Sequence, residues 1–236
     1  MKIISAHQPY FAPYAGFFEK AMRSDVLVIM DAVQFPRGTT WLTRNRFKND
    51  QGTLWLTIPV WKKGLGLQKI NEVKICYEGR WQRKHMASLS SAYANAPFFE
   101  DHCWFLEKIF SEQMDSLLEL NMRIIRYVLA QLAIETHIVT LSELGIEAKE
   151  PELSIKVAAA LGATHFLAQS TARKYLDQEG FQNKGIHLTF FRPKVPVYPQ
   201  LWGTFLPNLS VLDLLFNCGP KAKAILEKSC SPIRQQ

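Results

Sequence analysis

The sequence holds no uninterrupted run of ~18 apolar residues, so no ordinary helical membrane span is expected. Its start, from Met1 to Phe11, turns polar too early for a secretory signal peptide. Cysteine is scarce. Cys76, Cys103, Cys218 and Cys230 lie far apart, form no C-x-x-C pair and read as core or surface thiols. Without a secretion signal, disulfides are not expected. The Walker pattern G-x-x-x-x-G-K-[ST] and the G-x-G-x-x-G fingerprint are both absent, which disfavours the P-loop and dinucleotide readings. There is no internal repeat and no low-complexity segment. These absences leave a globular protein, expected in the cytoplasm.

What is present is ordinary in bulk. The 236 residues are 47% hydrophobic and 21% charged, which argues against disorder. A chain of this length buries roughly 70–75% of its unfolded surface and needs no staples. Twenty-eight basic against 21 acidic residues leave a net charge of +7. That balance fits a phosphate-bearing ligand, a nucleic acid or an anionic membrane surface, and chooses none of them.

The pattern along the chain predicts strands at Lys2–Ala6 and Val26–Met30, joined through a helix from Ala15 to Arg23. Continuous apolar runs of this kind suit strands buried on both faces of a parallel sheet. Trp41–Lys48 and Thr53–Val60 flank Asn49-Asp50-Gln51-Gly52 and predict a hairpin. Ile70–Cys76 reads as a further strand. Helices are expected at Trp81–Tyr93, Phe98–Ser111 and Met114–Leu132, the second opened by Pro97. Strands then follow at Ile138–Leu141, Thr164–Ala168 and Ile186–Phe191, with helices from Pro151 to Leu161, at Thr171–Asp177 and at Leu209–Phe216. The expectation is one α/β domain over 1–236: a Rossmann-like parallel sheet with a β-hairpin and a helical insertion over 80–135.

Four groups of residues carry chemistry. In open α/β sheets ligands bind beyond the carboxyl ends of strands, and the loop after the first strand reads His7-Gln8-Pro9-Tyr10. Its imidazole, amide and phenol are held by prolines that stiffen the loop. Asp31, at the end of the second strand, is placed to bind a metal, accept a proton or cap a turn. Arg44, Asn45 and Arg46 lie in the hairpin. Arg44, Arg46 and Lys48 share a strand face, which suits a phosphate or carboxylate between them or a solvated surface.

Trp81, Lys84 and His85 lie together on one helix, where a lysine beside a histidine favours a neutral base. The last third holds Ser170, Thr171 and Arg173 at a helix start, suited to capping or to a phosphate. It also holds Tyr198, Gln200 and Asn208 in loops, and Asp213 and Asn217 one turn apart on an apolar helix. The last two either brace those loops or touch substrate.

The order of these motifs resembles the WbqC-like family of bacterial proteins. The resemblance rests on His7-Gln8-Pro9-Tyr10 with Gly16-Phe17-Phe18, on Ser24-Asp25-Val26 leading to Asp31-Ala32-Val33-Gln34-Phe35, and on Asn45-Arg46 and Thr57-Ile58-Pro59-Val60. It continues through Trp81, Lys84-His85, Tyr93 and Ala96-Pro97-Phe98-Phe99 to Tyr198-Pro199-Gln200, Pro207-Asn208-Leu209-Ser210 and the run from Asp213 to Gly219. Members of the family are often encoded with enzymes of O-antigen and other surface polysaccharides, and the resemblance implies a glycine-transferase role. The chain departs from the family pattern at Gln169-Ser170, where a Ser-Gly pair is usual. The strand–loop–helix start and the late Ser170-Thr171-Ala172-Arg173 are similar to the nucleotidylyltransferases of the HIGH superfamily. The second histidine of that motif is missing, since Phe17 follows Gly16.

The leading expectation is a transferase that moves a small acyl or aminoacyl group onto a nucleotide-linked amino sugar. His7 or His85 would be the base, Arg44, Arg46 and Arg173 the phosphate holders, and Asp31 the orienting group. One alternative is nucleotidyl transfer or adenylate formation, needing Mg²⁺ at Asp31 or Asp213. Another is a nucleotide-binding or assembly protein without catalysis. A nucleic-acid partner is not expected, because the basic and aromatic stretch around Trp41 and Phe47 is too short.

Overall fold

The computed structural model describes residues 1–230. The chain opens with β1 (Ile3–His7), α1 (Ala15–Met22) and β2 (Val26–Ile29), followed by the hairpin strands β3 (Arg44–Asn49) and β4 (Gly52–Thr57). Three helices come next: α2 (Trp81–Tyr93), α3 (Glu100–Ser111) and α4 (Leu117–Gln131). The chain then returns to the sheet through β5 (His137–Thr140), α5 (Leu141–Leu144), α6 (Glu152–Ala160), β6 (His165–Gln169), α7 (Gln178–Asn183) and β7 (His187–Phe191). It ends in α8 (Val211–Cys218) and α9 (Ala222–Ser229).

The sheet has five strands in the order β5-β2-β1-β6-β7, all neighbours parallel, and β3 and β4 pair separately. This is a Rossmann-like core with a hairpin. The sheet is covered on both sides, which is why all four residues of β2 are buried. Leu27 and Ile29 join Phe17 and Phe18 of α1, the inner faces of α2–α4 and the apolar residues of α8 in one apolar cluster. Ile4, Val26, Val28 and Phe166 pack on the other side against Leu153 and Val157 of α6 and Phe181 of α7. Each large side chain so buried contributes ~1.5–3 kcal/mol.

Sheet and hairpin follow the sequence pattern closely. In the hairpin Asn49 pairs with Gly52, which takes φ 101° at the turn. Gly162 ends α6 in the left-handed region, at φ 65°. Two segments differ from expectation. Ile70–Cys76 is not a strand. Ile70–Glu72 forms a 3₁₀ turn, and Lys74 and Ile75 make only isolated bridges, to Ser116 and Val60. The uneven spacing of its buried Ile70, Val73 and Ile75 matches neither face of a strand. Thr171–Asp177 is not an α-helix either, since only Ser170–Lys174 coil, as a 3₁₀ turn. The short helices α7 and α9 had no expectation attached. Among the described residues no helix is long and apolar enough to cross a membrane.

Candidate active-site cleft

The strand order changes direction at β1. From there the chain runs outward through β2 to β5, then returns to the other side for β6 and β7. In open α/β sheets the crevice at such a reversal, beyond the carboxyl ends, is where ligands bind. A cleft of about 1280 Å³ lies there. Its lining includes His7, Gln8 and Tyr10 after β1, Ser142 after β5, and Gln169 and Thr171 after β6. The volume exceeds the ~300–1,000 Å³ of common small-molecule sites and leaves room for a nucleotide carrying a further group.

The loop after β1 is held from three directions. Phe11 donates its N–H to the Trp41 carbonyl at 2.9 Å. Asn45 donates from Nδ2 to the carbonyls of Phe11 and Ala12, at 3.0 and 2.7 Å. Asn121 on α4 donates to the carbonyls of Pro9 and Leu42, at 2.8 and 2.9 Å. These bonds hold Ala12 at φ 41°, a conformation an alanine adopts only under constraint. Gly16 opens the first turn of α1 against a tight neighbour. A Cβ there would lie 2.5 Å from a ring carbon of Tyr14 and 2.8 Å from Pro193 Cβ. Its smallness keeps Tyr14 in place, and the Tyr14 hydroxyl accepts a 2.8 Å hydrogen bond from Gln169 Nε2.

His7 is 9% exposed. Its Nδ1 lies 2.8 Å from the Gln8 carbonyl, so that nitrogen carries the proton and Nε2 is left as an acceptor. The ring meets Tyr10 and Phe17 edge-on, at 4.6 and 4.9 Å between centroids. Burial, reinforced by the charge of Lys20, lowers its pKa to about 3. The imidazole is therefore neutral at pH 7 and a weak proton acceptor.

Lys20 is the group that sequence reasoning missed. It is 4% exposed, lies on α1 and lines the cleft. Its Nζ donates to the Ala6 carbonyl at 2.9 Å, and it makes no salt bridge among the described residues. Burial lowers its pKa to about 7. No local sequence signal marked it: α1 is buried from Ala15 through Ala21 only in the assembled fold, which leaves Lys20 facing the cleft. Tyr10, also in the cleft, is pushed up to about 12, first by burial.

Asp31 stands one step behind the wall. Its Oδ1 accepts from the Ser142 N–H at 3.0 Å and its Oδ2 from the Ser142 hydroxyl at 2.5 Å, which ties the end of β2 to the corner between β5 and α5. Among the described residues there is no group of three His, Cys, Asp or Glu side chains able to hold a metal ion.

The other candidate residues do not line the cleft. His85 packs between Trp81 and Phe110, accepts from the Thr57 N–H at 3.4 Å, and is lowered by burial to about 4. Lys84 beside it is exposed. Arg44 stacks on the Trp55 ring at 3.7 Å. Arg46 donates to the carbonyls of Pro207 and Asn208, both at 3.1 Å, and Asn208 holds φ 56°. Thus the shared strand face of the arginines is real, but each guanidinium already has a partner. Asn45 braces the loop as described. Ser170 donates to the Phe191 carbonyl at 3.0 Å, and Arg173 lies over the Phe190 ring at 4.2 Å.

The last group forms a second, closed polar cluster. Asp213 accepts from Tyr93 at 2.6 Å and from Tyr198 at 2.8 Å, and Asn217 Nδ2 donates to the Asp213 carbonyl at 2.8 Å. Lys48 donates from Nζ to Gln200 Oε1 and the Thr204 carbonyl. Gln200 in turn closes both ends of its amide on Leu206. Asp213 is thus tied to the Tyr198 loop and to Asn217.

Fold and cleft together define a Rossmann-like α/β protein with a crevice at the reversal of strand order. The sequence model of the WbqC-like protein family matches residues 8–225, and the chain belongs to that family. It is also similar to "Uncharacterized protein Rv1507c" of Mycobacterium tuberculosis (strain ATCC 25618 / H37Rv). The two are 32% identical over 225 residues, covering 94% of this chain and 96% of that protein. No solved structure matches the chain.

Proposed function

We propose that the protein is a cytoplasmic transferase of surface-polysaccharide biosynthesis, moving a small acyl or aminoacyl group, glycine first among them, onto a nucleotide-linked amino sugar. The observation that carries this reading is the cleft at the strand reversal, roomy enough for a nucleotide and lined by two nitrogen bases, His7, which burial keeps uncharged at neutral pH, and Lys20, whose pKa burial lowers to about 7. Acyl transfer to an amine needs an uncharged nucleophile and a place for its proton, and a site of this polarity suits both. His7 Nε2 accepts a hydrogen bond from the acceptor's N–H and so aims its lone pair. Gln8, Tyr10 and Thr171 contact the remainder of the ligand. Asp31 acts through Ser142, as a positioning residue.

Nucleotidyl transfer through Mg²⁺ is less well supported. Both oxygens of Asp31 and of Asp213 are already engaged as hydrogen-bond acceptors. The test is a matrix of nucleotide-linked amino sugars against aminoacyl thioester and aminoacyl adenylate donors, read by mass spectrometry. The expected product is the sugar heavier by one acyl residue. ATP/pyrophosphate exchange driven by an amino acid would overturn the reading in favour of adenylate formation. Ligand binding without turnover under every donor would overturn it in favour of a binding protein.

A further inference from the structure

We propose that the Lys20 amine is the catalytic proton acceptor of this cleft, receiving the proton that the acceptor nitrogen loses as it is acylated. The inference rests on the transferase reading above and names the residue that reading lacks. His7, the obvious base from the sequence, is too weakly basic in its setting, with Nδ1 fixed on the Gln8 carbonyl and two aromatic edges around the ring.

Lys20 is differently placed. One of its hydrogens is committed to the Ala6 carbonyl at the end of β1, which fixes Nζ at the carboxyl edge of the sheet, on the cleft wall. No carboxylate pairs with it among the described residues. A buried amine without a counter-ion sheds its proton to avoid the cost of desolvating a charge. Its lowered pKa, about 7, agrees with that geometry and matches the range in which a general base works best. The titratable groups that share the cleft are His7, Tyr10, Lys69, Glu147, Lys149, Glu150 and Tyr175. Of these Lys69 is drawn to Glu147 across 3.4 Å at the rim, and Glu150 is capped on Ser154.

The step balances without a further reactant. The acceptor's nitrogen lone pair forms the new C–N bond to the acyl carbon. The bond from that carbon to the leaving group breaks, and its electron pair departs with the leaving group. The Nζ lone pair of Lys20 takes the nitrogen's proton, and the resulting ammonium returns it to the leaving group or to water. His7, neutral throughout, holds the acceptor in line.

The experiment has two arms. In the first, ¹⁵N-lysine NMR of the whole protein is followed from pH 5 to pH 11, with Lys20→Arg identifying the resonance. The expected result is one lysine titrating near pH 7, absent from the variant. Titration of Lys20 beside the ordinary lysines overturns the proposal. In the second arm, kcat of Lys20→Met and of Lys20→Arg is expected to fall about 10²–10⁴-fold with KM little changed. Wild-type kcat is expected to rise with pH to a plateau just above pH 7. Lys20→Arg retains a hydrogen-bond donor for Ala6 but cannot accept a proton, so near-wild-type turnover in that variant overturns the proposal. Absence of wild-type turnover with every donor, while Lys20 still titrates near pH 7, overturns the transferase reading and the step with it, and leaves the neutral amine standing.

Discussion

The buried polar clusters around Asp213 and around His7 and Lys20 differ in what is left over. Around Asp213 the donors and acceptors close on one another: two tyrosine hydroxyls and an asparagine amide meet one carboxylate and its own backbone. Around His7 and Lys20 each nitrogen group has one bond to a backbone carbonyl and further capacity turned to a cavity. A closed network rigidifies, and a buried group with spare valence costs stability and offers chemistry.

The largest expected effect separates the two. Asp213→Ala leaves the Tyr93 and Tyr198 hydroxyls buried without their acceptor and is expected to cost about 3–5 kcal/mol. By urea titration or calorimetry that is a fall in Tm of about 6–20 °C for a chain of this size. Nucleotide affinity of the still-folded variant is expected to stay unchanged, and a loss of affinity would erase the distinction between brace and site.

Acid probes both histidines. Burial lowers His7 to about 3 and His85 to about 4, while the unfolded chain takes up those protons near the ordinary histidine pKa of about 6.5. The unfolded state therefore binds more protons throughout that window. Unfolding free energy falls as pH drops through it, levels off below the folded values, and is untouched above about 6.5. Each histidine is expected to remove about 3 kcal/mol between pH 7 and pH 4. His7→Asn and His85→Gln should each flatten part of the acid limb. An acid limb indifferent to His7→Asn would mean that the cleft is wetter than its geometry implies.

Lys20→Met sharpens the contrast from the opposite direction. With its pKa lowered to about 7, the wild type loses stability as pH falls from about 10.4 to 7 and is level below that. Removing the amine is expected to stabilise the fold by about 1–3 kcal/mol at pH 7, after allowing for the orphaned Ala6 carbonyl. The variant should lose that part of the pH dependence in denaturant titrations. A less stable variant would make Lys20 a brace like Asp213. The smallest effect is expected at the hairpin, where Arg44→Gln gives up a cation–π contact worth about 0.5–1 kcal/mol. Phosphate affinity in that variant is expected to match the wild type.

Much of the frame was legible in the sequence because it is written locally. Val26–Met30 is apolar without a break, and the Asn49–Gly52 turn fixes the hairpin register. The position of His7 after β1 led to the cleft for a physical reason, the convergence of loops at a sheet edge. What stayed hidden depends on partners far along the chain. Nothing near Arg46 announces that the Pro207 carbonyl, 161 residues away, will occupy its guanidinium. Nothing around Asp213 foretells Tyr93, 120 residues earlier. Lys20 was concealed by habit: a lysine on a short helix usually points to water, and only burial of α1 on every side reverses that.

The distant partners that grip the segment after β1 also set a timetable. Pro9 waits for Asn121, 112 positions later, and Tyr14 for Gln169, 155 positions later. Until those arrive, only Asn45 and the Trp41 carbonyl hold the loop. A chain that stops before β6 therefore carries His7 and Lys20 without the neighbouring strand and loops that complete the crevice around them.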